Sequence, residues 1–174
     1  MPEEASPNRP PRAWEVLLSH HLPERFDRTL RIDLPGGGIH LCARCTGQLF
    51  GFAALIGAFV FLLWTGARPG ALESLWVQVP LATAPVPAAI DWLTQSARGR
   101  NSTNSLRVLT GSLLGASFAD LAALVWLHEW LFVAGAVVIL LAYVVVILGY
   151  LKVTGAWRRV LVEHFPGIEL PASR

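Results

Sequence analysis

Four long apolar runs decide what this chain can fold into. They lie at about 47–64, 72–93, 106–127 and 130–151. Each is close to the ~20 residues an α-helix needs to cross a hydrocarbon core of about 30 Å. In lipid every backbone N–H and C=O must find its partner within the protein, which leaves helices as the natural solution for runs of this length. The expected fold is an all-α membrane protein with about four transmembrane helices. The second run contains Pro80, Pro85 and Pro87, and each removes a backbone donor. That run is expected to be kinked, or partly unwound against a protein-lined cavity. Composition agrees: hydrophobic residues make up 53% and charged residues 15%, against about a quarter charged in soluble domains. A net charge of +2 argues against a basic nucleic-acid surface.

The flanks divide the chain further. Residues 1–12 hold four prolines, two arginines and two glutamates, and read as a disordered tail rather than a signal peptide. Residues 13–46 form a cytosolic segment. Its first part, 13–19, suits a short amphipathic helix that Pro23 ends or re-aims. Thr29–Leu34 and Ile39–Cys42 then alternate apolar and polar residues around Pro35-Gly36-Gly37-Gly38, the pattern of a small β-hairpin. Residues 47–151 are the membrane domain, and 152–174 a cytosolic tail.

Arginine placement sets the orientation. Arg9, Arg12, Arg25, Arg28, Arg31 and Arg44 precede the first run; Arg98, Arg100 and Arg107 lie between the second and third; Lys152, Arg158 and Arg159 follow the fourth. The opposite loops hold only Arg68 with Glu73, and His128 with Glu129. Both termini are therefore expected in the cytoplasm of a multi-pass protein of the cell membrane. Gly47 and Gly51, and Gly111, Gly115 and Ala119, repeat every four residues. Small residues at that spacing allow close helix packing, more simply within one chain than between two.

This topology gathers the chemistry on one membrane face. His20, His21, Cys42 and Cys45 stand before the first run. Thiolate and imidazole donors suit zinc, and Cys-x-x-Cys lets two sulfurs grip one ion, with His20 or His21 completing the set. Iron would accept the same donors. A redox dithiol and a plain structural pair are the other readings of the cysteines. His40 alternates with Ile39 and Leu41 and is expected to be solvated. Asp91 and Gln95 are four apart on one helical face, and Asn104 and Arg107 three apart on another. They suggest a polar pocket in which Asp91 is a base or extra ligand, Asn104 and Arg107 orient an anion, and Gln95 and Ser102 help to line the site. Arg107 is expected to pair with Asp91, and Ser102 or Thr103 to cap the third helix. Asp120 lies deeper, in the outer half of the membrane, and is a separate functional candidate.

Several of these residues carry a resemblance. Ser19-His20-His21-Leu22-Pro23-Glu24-Arg25-Phe26, Leu41-Cys42-Ala43-Arg44-Cys45-Thr46-Gly47, Asp91-Trp92 with Gln95, and Ser102-Thr103-Asn104 with Arg107 and Thr110-Gly111 resemble the prokaryotic membrane proteins catalogued as domain of unknown function 2085. The resemblance runs from about 19 to 115 and implies a shared fold and a shared cytosolic-face site, without an activity. The resemblance also implies a departure: many members carry Cys-His where this chain has Ser19-His20, and if that cysteine is a ligand in them, the fourth metal position here would fall to His21, Ser19 or water.

Three functions compete. One is a metal site beside a pocket for a small polar or lipid-linked ligand, with an open position able to activate water. The second is a membrane thiol–disulfide protein cycling Cys42 and Cys45. The third is a transporter or channel lined by the proline-broken run, Asp91, Asp120 and Arg107, for which four helices would need to form a homo-oligomer.

Overall fold

The computed structural model describes residues 19, 23–34, 37–66 and 74–164. The expected tail at 1–12, most of the helix at 13–19, and both His20 and His21 lie outside them. A 3₁₀ turn at Pro23–Arg28 leads into β1 (Thr29–Leu34) and β2 (Gly37–Cys42). These strands pair antiparallel, with Thr29 opposite Cys42 and Leu34 opposite Gly37, as the alternation around the glycines predicts. Six helices follow: α1 (Ala43–Trp64), α2 (Leu75–Thr83), α3 (Pro85–Arg98), α4 (Asn104–Trp126), α5 (Trp130–Thr154) and α6 (Ala156–His164). Three of them, α1, α4 and α5, are long and apolar enough to cross a membrane.

The second apolar run is two helices rather than one. Pro85 has no N–H for the carbonyl of Leu81, and the chain breaks at Ala84 between α2 and α3. Two carbonyls at the break find hydroxyl partners elsewhere. Ser117 on α4 donates its Oγ proton to Leu81 O, and Tyr143 on α5 donates to Ala82 O at 2.9 Å. Neighbouring helices thus supply donors to these two carbonyls of the broken backbone.

At the centre lies α4, whose buried stripe includes Arg107, Gly111, Gly115, Ala119 and Ala123. It packs against α1 with the two backbones in direct approach. A Cβ on Gly47 would strike the carbonyl of Val108, and one on Gly51 the carbonyl of Ser112. In return, a Cβ on Gly111 would meet Arg44 O, and one on Gly115 would meet Gln48 O. The order of these contacts makes α1 and α4 parallel. The α2–α3 pair runs the other way: Gln78 meets Asp120, Leu81 meets Ser117, and Gln95 meets Arg107. The small-residue stripes therefore pack helices within one chain.

Tryptophans mark the end of the bundle away from the hairpin. Trp64 closes α1, Trp76 opens α2, Trp126 closes α4 and Trp130 opens α5, and all four are exposed. That is the position of an interfacial aromatic belt. At the hairpin end, Gly155 in the left-handed region turns the chain out of α5 into α6, which packs against α3 and α5. The segment expected as a tail thus begins with a docked helix.

The glycine approach yields a controlled prediction. Gly51→Val should destabilise the protein by about 3 kcal/mol, because backbone rather than a movable side chain occupies the space. Gly57→Val, on the same helix with nothing within 4 Å of its Cβ, should be close to neutral. Thermal unfolding of both variants in detergent would check this, and equal losses would contradict it.

Candidate functional site

The hairpin end of the bundle holds a continuous polar network. Its centre is Asp91 on α3, only 3% exposed. Arg44 Nη2 from the first turn of α1 donates to Asp91 Oδ2 at 2.7 Å, and Arg100 Nη2 donates to Oδ1 at 2.9 Å. Gln95 Nε2, one turn along α3, donates to Oδ2 at 2.7 Å. The carboxylate thus joins α1, α3 and the loop after it. That loop is set by Gly99, whose left-handed φ of 65° ends α3 and lets Arg100 fold back.

From Gln95 the network passes to α4. Arg107 Nη2 donates to Gln95 Oε1 at 3.4 Å, and Nη1 donates to Asn104 Oδ1 at 3.0 Å. Asn104 Nδ2 then donates to Thr29 O in β1 at 3.0 Å. The amide orientations follow from chemistry: a guanidinium only donates and a carboxylate only accepts, so both amides must turn oxygen to Arg107. Thr29 continues the chain into the hairpin. Its hydroxyl proton goes to Phe26 O at 2.7 Å, so its contact of 2.9 Å with His40 Nδ1 must be a bond donated by the histidine. The ring of His40 stacks on Phe26 with centroids 4.2 Å apart. The expected solvated histidine is instead half-buried and fixes the hairpin's base.

Arg107 is the unusual member. It is 4% exposed, yet its hydrogen-bond partners among the described residues are two neutral amide oxygens. The expected Arg107–Asp91 pair is not made, because Arg44 and Arg100 reach the carboxylate first. Asp27 and Arg28 lie near enough to act on Arg107 electrostatically, with opposite signs. Within the hydrogen-bonded network, then, Arg44, Arg100 and Arg107 face a single carboxylate. Arg44 Nε is also buried with no hydrogen-bond partner among the described residues.

The other expected residues fall around this network. Thr103, not Ser102, caps α4, accepting from Leu106 N at 3.3 Å. Ser102 bonds only weakly to Thr103 O at 3.5 Å and stands outside the network. Cys42 ends β2 and Cys45 lies in the first turn of α1; the first is buried, the second exposed, and the two thiols interact without forming a disulfide. No group of three or more His, Cys, Asp or Glu comes together among the described residues, and His20 and His21 lie outside them. Asp120 is in a different region, 5% exposed, accepting from Gln78 Nε2 at 3.0 Å. Arg44, Arg100 and Thr29 join the network although spacing alone marks Arg100 as an orientation charge, Thr29 as a hairpin position, and Arg44 as an orientation charge within a family motif. Arg44 sits inside Cys-Ala-Arg-Cys, and that motif was the available signal.

No curated protein and no solved structure matches the chain. A family model described as "Predicted membrane protein (DUF2085)" matches residues 24–121, more than half of the chain. The matched stretch contains every member of the network, from Phe26 and Thr29 through Arg44, Asp91, Gln95 and Arg100 to Asn104 and Arg107. The protein therefore belongs to this membrane-protein family, domain of unknown function 2085.

Proposed function

We propose that this is a four-crossing membrane protein, with both ends in the cytoplasm, that binds an anionic phosphate-type group at the hairpin end of the bundle. The observation that carries the reading is Arg107. A buried guanidinium whose hydrogen-bond partners among the described residues are neutral oxygens is costly, and an anion offsets that cost. Among the described residues Arg107 uses two of its five donors, and a planar fork of this kind suits phosphate or carboxylate oxygens. Asp91 in this reading is a positioning residue: it fixes Arg44 and Arg100 and, through Gln95, orients Arg107. Asn104 ties the same guanidinium to the hairpin. The four-crossing count is supported by the antiparallel course of α2–α3 beside α4, and the orientation by the arginines gathered at the hairpin end.

The phosphate could belong to a soluble molecule or to an anionic lipid headgroup. Protein in phosphatidylcholine nanodiscs, titrated with inorganic phosphate, should melt at higher temperature if the ligand is soluble. Stabilisation only in phosphatidylglycerol discs would assign a headgroup. In either arm Arg107→Gln should weaken the effect about tenfold or more, the scale of a hydrogen bond to a charged group. No stabilisation by phosphate or by the anionic lipid would contradict the reading.

A second reading is favoured by the adjacent thiols. Cys42 and Cys45 fit a zinc ion through their sulfurs, with His20 or His21 as the further donors. Purified protein should then carry about one equivalent of zinc, lost in the Cys42→Ser/Cys45→Ser double variant. A disulfide that forms readily in metal-free protein would instead favour the dithiol.

A further inference from the structure

A second feature of the fold is a groove between helices, away from the arginine network, with Gln78 and Asp120 buried in its floor. A cleft of about 290 Å³ opens between α2, α4 and α5 at the proline break. Its wall is largely aliphatic and aromatic, including Val79, Leu114, Phe118 and Phe132. Asp120, Ser117 and Tyr143 interrupt it.

The hydroxyl protons around this cleft are already committed. Ser117 donates to Leu81 O, Tyr143 to Ala82 O, and Thr83 to Val79 O, all because hydroxyls here serve helix carbonyls. Gln78 spends an amide N–H on Asp120 Oδ1. Among the described residues no hydrogen bond reaches Asp120 Oδ2, and the residue is only 5% exposed. The cleft thus offers hydrogen-bond acceptors and apolar surface. A carboxyl oxygen left without a partner at this depth calls for a donor.

We propose that this cleft binds a lipophilic amine, whose N–H groups bond Asp120 Oδ2 and whose apolar body fills the space along α5. Taking roughly 30 Å³ for each atom, as for water, the cleft holds a body of about ten heavy atoms. The alternative occupant, a lipid chain with no donor, would leave Asp120 unserved. Carboxyl and amine are complementary in charge as well as in hydrogen bonding, and low surrounding polarity strengthens both.

Phenylbutylamine and pentylbenzene make a test pair of equal size that differ in the amino group. Each is titrated into the full-length protein in detergent, with binding followed by calorimetry. Wild type should bind the amine saturably and at least tenfold more tightly than the hydrocarbon. Asp120→Asn should lose most of that preference. Gly135→Phe, which places a ring in the cleft where no atom lies within 4 Å of the added Cβ, should lose binding of both compounds. Equal affinity of wild type for the two compounds would overturn the proposal and assign the cleft to lipid chains. So would undiminished amine binding in Gly135→Phe, which remains decisive if Asp120→Asn does not fold.

Discussion

Two helices lying side by side and pointing the same way impose a condition on everything between them: the chain must return across the same depth. Here α1 and α4 are that pair, locked by Gly47 and Gly51 against Gly111 and Gly115 so closely that no Cβ fits at any of the four. The return path is α2–α3, whose contacts with α4 run from Asp120 at one end to Arg107 at the other. Because the return ends beside the start of α1, Asp91 near its close meets Arg44 near the beginning of the bundle. The polar network at the hairpin end follows from that coincidence.

The same return path explains why a proline-rich segment can serve in a bundle. Pro85 and Pro87 cost α2–α3 its continuity at Ala84, whereas Pro80 is carried inside α2, and a lone helix so broken would leave carbonyls without partners. Ser117 and Tyr143 supply the missing donors from α4 and α5. The break then opens the cleft beside Asp120, since α2 and α3 no longer share one continuous packing face. A single irregularity thus ties α4 and α5 to the second run, and sets the broken backbone beside the buried carboxyl of Asp120.

Much of the architecture is legible in the residues because it depends on run length and alternation. The apolar runs foretell α1, α4 and α5, and Pro35-Gly36-Gly37-Gly38 between alternating segments foretells the hairpin. The glycine stripes point to close packing, though not to which helix fills each gap. Pairing between distant elements is where local reading stops. Spacing puts Asp91 with Gln95 on one face and Asn104 with Arg107 on another, and both groupings hold. It cannot say that Arg44, distant in sequence, and Arg100, folded back by Gly99, would claim the carboxylate and leave Arg107 on amide oxygens. His40 shows the same limit: strand alternation gives its face, while its burial comes from Phe26 in the preceding turn.

The return crossing is the claim on which the rest depends, and single-cysteine labelling tests it directly. In a Cys42→Ser/Cys45→Ser background, Asp33→Cys, Thr65→Cys and Asn101→Cys place one thiol each at the hairpin, beyond α1 and before α4, all exposed positions. With a membrane-impermeant maleimide on intact cells, Thr65→Cys should label, while Asp33→Cys and Asn101→Cys should label only after lysis. If Asn101→Cys instead labels together with Thr65→Cys, α2–α3 does not cross the membrane, and the shared polar face is contradicted.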